Sequence, residues 1–259
     1  MNEIIFSIFI PFIGTILGSA CVFIFKKKMS KNVQRAFAGF AAGVMVAATI
    51  WSLILPAFEA TSSMNKWSFV PVIIGLWIGF GFLMLLDKVI PHQHINEEES
   101  EGLTCKAGKS TKMGLAVALH NLPEGMAVGV VLASATTENS AIPITMALAL
   151  AIGIAIQNFP EGAIISVPLH NCGMKKTKAF SIGVLSGLVE PIGAALTMLL
   201  SAIIAPTLPY FLSFAAGAML YVVVEELIPE MTEGKHSHIG TIFFALGFSL
   251  MMVLDVIFN

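Results

Sequence analysis

Two six-residue segments place side chains that can bind a cation inside stretches that are otherwise apolar. The segments are residues 120–125 and 157–162, which read HNLPEG and QNFPEG and are identical at four of six positions. An ionisable side chain at membrane depth is costly, so it is usually kept because a substrate or an ion passes it. The combination of His, Glu, Asn and Gln with a helix-disrupting proline therefore predicts a site for a polyvalent cation.

Helix geometry puts the polar side chains of each segment on one face. His120 and Glu124 are four residues apart, Asn121 lies three residues before Glu124, and Gln157 and Glu161 repeat the spacing of four. Two such helices packed together offer one imidazole, two carboxylates and two or three amide oxygens. Imidazole suits zinc, iron and related metals, and the oxygen ligands extend the range towards manganese and cadmium.

The prolines and glycines of the two segments have their own consequences. Pro123 and Pro160 lack an N–H, so each frees the carbonyl four residues earlier, and water or a metal ion can satisfy such a group in a membrane. Gly125 and Gly162 are expected to let the two helices approach each other closely.

The composition indicates a membrane protein. Of 259 residues, 56% are hydrophobic and 12% charged, with a mean hydropathy of +0.87, whereas about 25% of an average soluble domain is charged. The first apolar run has no basic segment before it and is interpreted as a retained transmembrane helix. We predict a single transmembrane domain over residues 1–259, all-α and polytopic, with an acidic loop at 91–111. The eight predicted spans are 4–25, 36–56, 69–90, 112–133, 143–168, 179–204, 209–229 and 239–258, of which the fifth and sixth are expected to tilt or kink.

Basic residues predict the orientation of the chain. Of 14 Lys and Arg residues, 13 lie in or beside the loops after spans 1, 3, 5 and 7, and only Lys66 lies on the other side. The positive-inside rule therefore predicts that these loops, including 91–111, are cytoplasmic and that both termini are outside the cell membrane.

Two further pairs of segments resemble each other. Residues 40–45 (FAAGVM) recur as 214–219 (FAAGAM), and residues 79–87 recur as 247–255 with five of nine identities. Spans 2 and 3 thus correspond to spans 7 and 8. Consecutive spans cross the membrane in opposite directions, so two copies that are five spans apart have opposite orientations in the membrane. We therefore predict inverted repeats, spans 1–3 and 6–8, around a central pair of spans 4 and 5, an arrangement typical of transporters.

The paired hexapeptides, with Glu190-Pro191 in the sixth span, resemble the ZIP (zinc/iron-regulated-transporter-like) family of divalent metal transporters, prokaryotic type. The resemblance covers the whole chain. It implies a primary metal site, with ligands His120, Glu124, Gln157 and Glu161 and a further contact from Met45, which as an alternative packs in the core. It also implies a second site at Asn121, Asn158 and Glu190 that shares Glu124 and Glu161. Some family members have Asp where this chain has Asn158, which leaves three carboxylates for two metal ions.

Other acidic residues have structural alternatives. Asp87 and Asp255 occupy corresponding positions in the second pair of segments and are interpreted as interfacial or helix-capping residues. Glu225 and Glu226, close to the cytoplasmic end of span 7, either line an exit or are structural. Solvated loop positions are expected for four histidines outside the motifs, His92, His94, His236 and His238, with metal binding on the cytoplasmic side as the alternative for His92 and His94. Free thiols are expected for Cys21, Cys105 and Cys172.

The resulting interpretation is transport of a divalent transition-metal ion, Zn²⁺ first and then Fe²⁺, Mn²⁺ or Cd²⁺, with inward direction implied by the resemblance. The partners are the metal ion and the lipid bilayer, with a homodimer left open, and no nucleic acid or cofactor is expected. The alternative is an intramembrane metal-dependent hydrolase, in which the same ligands would activate a water molecule. The lack of a His-Glu-x-x-His helix speaks against that enzyme.

Overall fold

The computed structural model describes residues 2–25, 29–90, 109–137, 142–204, 207–234 and 236–258. All of its regular elements are helices, and eight of them are long and apolar enough to cross a membrane. We number them spans 1 to 8: Asn2–Ile24, Lys31–Ala60, Phe69–Val89, Gly114–Ala135, Ile144–Asn171, Lys176–Leu199, Leu208–Thr232 and Ile239–Phe258. The predicted all-α membrane architecture with eight spans is confirmed. Most of the predicted 91–111 loop, with His92, His94 and Cys105, lies outside the described residues.

Span 2 is longer than predicted at both ends. It begins at Lys31, because the Ser30 hydroxyl accepts a hydrogen bond from the backbone N–H of Val33 and caps the helix. It ends at Ala60, well past the predicted limit. Hydropathy detects only the apolar part of a helix that the hydrocarbon core of the membrane can cover. A polar helix end such as the first turn of span 2 is therefore not included in a span predicted from hydropathy.

The departures from regular α-helix lie mainly in spans 2 and 7. Both contain a π-helical segment, Thr49–Ile54 and Val223–Leu227, and each segment ends two residues before a proline, Pro56 or Pro229. The expected distortion of span 6 is present as a one-residue interruption at Leu188. Span 5, by contrast, continues as α-helix through both of its prolines, which neighbouring helices permit inside a membrane.

Glycines hold spans 2 and 8, and spans 3 and 7, in close backbone contact. A Cβ atom on Gly43 would lie 2.0 Å from the carbonyl oxygen of Phe244, and one on Gly247 would lie 2.2 Å from that of Phe40. We call each of these two helix contacts a seam. In the seam between spans 3 and 7, a Cβ on Gly217 would lie 2.1 Å from the carbonyl oxygen of Leu76. The reciprocal contact is made by Gly79, at 2.0 Å from the oxygen of Phe214.

The sequence repeats align the residues of one seam with those of the other. Gly43 matches Gly217 and Gly247 matches Gly79, and the carbonyls that they face match as well. The π-helical segments also begin at matching positions, nine residues after Phe40 and Phe214. The inverted repeat stays a prediction, and these contacts support it.

Spans 1, 4, 5 and 6 form a second group, in which span 1 packs on span 5 and span 6 on span 4. A Cβ on Gly125 would lie 2.2 Å from the oxygen of Glu190 in span 6, and one on Gly162 would lie 2.5 Å from the oxygen of Thr15 in span 1. The expectation that these glycines bring spans 4 and 5 together is therefore wrong. Each glycine faces outward from the 4–5 pair, because the polar side chains occupy the space between those two helices.

A polar clamp ties the start of span 2 to the end of span 7. Arg35 is buried, and its Nε donates to the backbone oxygen of Glu233 at 2.8 Å. Lys31 Nζ lies 3.0 Å from the Glu233 carboxylate. The clamp fixes the end of the helix that carries Glu226.

Candidate metal site

Glu124 and Gln157, one from each hexapeptide, meet in the interior of the protein. Both side chains are fully buried, and Gln157 Nε2 donates to Glu124 Oε1. The same nitrogen donates to Asn158 Oδ1 at 3.3 Å, and Asn158 Nδ2 donates to the backbone oxygen of Pro11 at 3.4 Å. A hydrogen-bonded chain therefore runs from span 4 through span 5 to the backbone of span 1.

The residues predicted for a second metal position lie beside this chain. Glu190 is fully buried, and its Oε1 accepts a hydrogen bond from the Thr15 hydroxyl at 2.8 Å. Asn121 is also buried, and its Nδ2 donates to the backbone oxygen of Ser186 at 3.4 Å. Spans 1, 4, 5 and 6 thus each contribute to the polar interior.

His120 contacts a residue from outside the two hexapeptides. Its Nδ1 pairs with Glu226 Oε2, in the π-helical segment of span 7. The neighbouring Glu225 is exposed. Glu225 and Glu226 are neighbours in sequence, but their side chains point in different directions on the helix. Only Glu226 contacts the motif histidine.

Carboxyl side chains are concentrated around the two hexapeptides. Glu124 interacts electrostatically with Glu161 and Glu190, and Glu161 interacts with Glu190, Glu226 and Glu230. Like charges repel strongly where water is scarce. A bound divalent cation would relieve this repulsion.

Four buried oxygen atoms of the site have no hydrogen-bond donor. They are Asn121 Oδ1, Glu124 Oε2, Gln157 Oε1 and Glu190 Oε2. All four are acceptors, and buried acceptors are rarely left without a partner in native proteins. A set of amide and carboxylate oxygens of this kind suits a cation, because a cation offers positive charge to several acceptors at once.

The ligand set predicted from sequence stays a prediction. Within the described part of the chain, no three His, Cys, Asp or Glu side chains stand close enough to one another to hold a metal ion. Three of the four predicted primary ligands contact another side chain: Gln157 donates to Glu124, and His120 pairs with Glu226. Met45 is buried in the main apolar core together with Met219, and its role as a ligand also stays a prediction.

Side-chain exposure differs between the two ends of the site. The main apolar core occupies the part of span 4 after Glu124, and the parts of span 5 before Gln157 and of span 7 before Glu226. Consecutive spans run in opposite directions, so these parts lie on the same side of the site. Glu124 and Gln157 have no exposed surface, whereas the side chains of His120 and Glu226 are 13% and 20% exposed.

The remaining acidic and histidine residues lie elsewhere. Asp87 is half-buried and accepts from the Tyr221 hydroxyl at 3.1 Å. Asp255 is buried and accepts from the Ser52 hydroxyl at 3.2 Å, and its interpretation as an interfacial or capping residue stays a prediction. His236 and His238 are exposed, as expected, and their rings contact each other. Cys21 and Cys172 are free thiols, which confirms that expectation for the described cysteines.

Comparison with known proteins points to one family. A family model described as "ZIP Zinc transporter" matches residues 96–255. Zinc transporter ZIPB of Bordetella bronchiseptica is 35% identical, over 94% of this chain and 77% of its own length. Zinc transporter ZIP11 of Xenopus tropicalis is 34% identical over 93% of each chain. Zinc transporter GufA of Myxococcus xanthus is 33% identical over 94% of each. The chain therefore belongs to the ZIP family of zinc transporters.

Proposed function

We propose that this protein moves divalent transition-metal ions, zinc first, across the cell membrane into the cytoplasm, and that it acts as a transporter and not as an enzyme. The names of its relatives support zinc as the substrate. The observation that carries the proposal is the set of four buried acceptor oxygens without donors, contributed by spans 4, 5 and 6. Two of these oxygens belong to Glu124 and Glu190, whose carboxylates repel each other when ionised, and a divalent cation would relieve that repulsion.

The ion passes two levels of ligands. Spans 4 and 5 run in opposite directions, so Glu124 and Gln157 share one level, in agreement with their hydrogen bond. His120 and Glu161 share the next level, one helical turn closer to the predicted cytoplasmic side. Metal binding replaces the Gln157 donor at Glu124 and the Glu226 partner at His120, so that both side chains turn to the ion. Asn121, Asn158 and Glu190 offer a neighbouring position, and Met45 a contact from span 2.

Exposure supports an exit past Glu226. His120 and Glu161 at the second level, and Glu226 next to them, are partly exposed. Glu124 and Gln157 at the first level are fully buried next to the apolar core. With the orientation predicted from the basic loops, the more exposed side is cytoplasmic. This conformation is then the one that releases the ion inward.

Uptake by sealed liposomes tests the proposal directly. The purified protein is reconstituted, zinc is added outside, and a zinc-sensitive dye reports on the lumen. We expect uptake that depends on the protein and is competed by other divalent transition metals. No uptake beyond that of protein-free liposomes, with the protein monodisperse and inserted, would refute transport.

We predict the topology from the same charge pattern. In a cysteine-free background, Lys66→Cys should react with an impermeant thiol reagent added to intact cells. Lys175→Cys should react only after the membrane is opened. Both positions are exposed, so accessibility of the side chain does not limit either reaction. The reverse labelling pattern would overturn the assignment of entrance and exit.

Removal of the imidazole should change metal preference. His120→Ala is expected to lower zinc uptake more than manganese uptake, since imidazole favours the later transition metals whereas manganese prefers carboxylate oxygens. His236→Ala removes an exposed loop histidine and is the matched control, with both uptake rates unchanged. Equal loss of zinc and manganese in the His120 variant would argue against His120 as a ligand.

A further inference from the structure

Span 1 has no residue in the predicted metal site, yet it makes two hydrogen bonds to that site. The Thr15 hydroxyl donates to Glu190 Oε1 at 2.8 Å, and the Pro11 carbonyl accepts from Asn158 Nδ2 at 3.4 Å. Thr15 and Pro11 are four residues apart on one face of the helix, and both are buried. One face of span 1 therefore holds two of the three residues expected at the second metal position.

Thr15 is one of two buried hydroxyls in the described residues that donate across a helix interface to a carboxylate; the other is Ser52, which donates to Asp255 outside the hexapeptides. A buried hydroxyl in a helix commonly donates to a carbonyl of the preceding turn, as Thr49, Thr197 and Ser213 do here. For Thr15 that carbonyl would be Pro11, which instead accepts from Asn158. The Thr15 hydroxyl is thus directed across the helix interface to a carboxylate 175 residues away in sequence.

The glycine contacts give Thr15 a defined place in the architecture. Gly125 and Gly162 occupy the same position in the two hexapeptides, and they face the carbonyls of Glu190 and Thr15 respectively. Under the predicted inverted repeat, Thr15 is therefore the counterpart of Glu190. One copy carries the carboxylate and the other carries the hydroxyl that donates to it.

We propose that Thr15 is a positioning residue for metal transfer: its hydroxyl engages Glu190 Oε1 and leaves Glu190 Oε2 directed at the passing ion. Glu190 Oε2 is buried and has no donor, so it is the oxygen available to a cation. The Pro11 carbonyl accepts from the amide nitrogen of Asn158 at 3.4 Å, and the Asn158 side chain also interacts with Glu190 and Glu124. The inference rests on the proposed transport function and extends it to span 1.

A pair of threonine variants separates positioning from packing. Thr15→Val keeps the branched shape, which packs against Gly187, but removes the donor; Thr15→Ser keeps the donor. In the liposome assay we expect Thr15→Val to lower the maximal zinc uptake rate about tenfold, the usual effect of deleting a hydrogen bond to a charged group. KM for zinc should change much less, since the first-level ligands are untouched. Thr15→Ser should restore most of the rate.

Thr197→Val is the matched control, because Thr197 is a buried threonine of span 6 whose hydroxyl donates within its own helix. It should keep the parent rate. A double-mutant cycle with Glu190→Gln gives a second readout, since a residue that acts through Glu190 adds little once that carboxylate is gone. A parent rate in Thr15→Val, or additive losses in the double variant, would overturn the inference while leaving transport intact. Absence of uptake by the parent protein would instead refute the proposed function.

Discussion

Glu124→Gln is expected to reduce zinc uptake by at least about a hundredfold without loss of the protein from the membrane. Removing one partner of a buried charge interaction costs about 3–5 kcal/mol, and each 1.4 kcal/mol corresponds to roughly a factor of ten. The glutamine keeps the shape of the side chain, and its oxygen can still accept from Gln157 Nε2. The fold therefore survives, whereas the negative charge needed by a divalent cation is lost. Glu161→Gln should have a similar effect.

Glu59→Gln is the matched control for this prediction. Glu59 is an exposed carboxylate near the end of span 2, so its neutralisation should leave zinc uptake at the parent rate. Zinc uptake into liposomes and the amount of monodisperse protein are measured for all three variants. If the Glu124 and Glu161 variants, correctly inserted, transport zinc like the parent, the assignment of the primary site is wrong.

Two glycines of span 3 are expected to respond to the same substitution with opposite signs. Gly79→Ala places a Cβ 2.0 Å from the carbonyl oxygen of Phe214, and backbone atoms cannot rotate out of the way. Spans 3 and 7 must then separate, and overpacking of this kind typically costs about 1–3 kcal/mol or more. Gly81 has no atom within 4 Å of its added Cβ. Gly81→Ala should be neutral or stabilising, because alanine favours the helix by about 0.5–1 kcal/mol over glycine.

The midpoint of thermal unfolding in detergent distinguishes the two variants. It is measured as the temperature at which half of the protein no longer stays monodisperse. Gly247→Ala, in the corresponding seam between spans 2 and 8, should lose stability as Gly79→Ala does, since its Cβ would lie 2.2 Å from the oxygen of Phe40. Equal midpoints for the Gly79 and Gly81 variants would show that span 3 does not pack on span 7 through this glycine.

Local sequence patterns determined the membrane architecture and the candidate ligands. Each span is a long apolar segment, and hydropathy is a local property, so all eight could be predicted without knowledge of their packing. The hexapeptides were recognisable because carboxylates are rare in such helices and because the two copies match each other. The pairing of Glu124 with Gln157 also follows from matching two antiparallel motifs.

Only the tertiary structure decided which side chains meet across helices that are distant in sequence. Nothing in the pattern around Thr15 distinguishes it from a threonine that donates within its own helix, yet packing of span 1 against spans 5 and 6 brings it to Glu190. Glu226 and not Glu225 is the partner of His120, because neighbouring residues of a helix point in different directions and the rotation of span 7 decides which of them faces span 4. Gly125 and Gly162 likewise look alike in sequence, but each faces a different outer helix. Hydropathy and motif spacing describe one helix at a time, whereas these contacts depend on how helices are rotated and packed against each other.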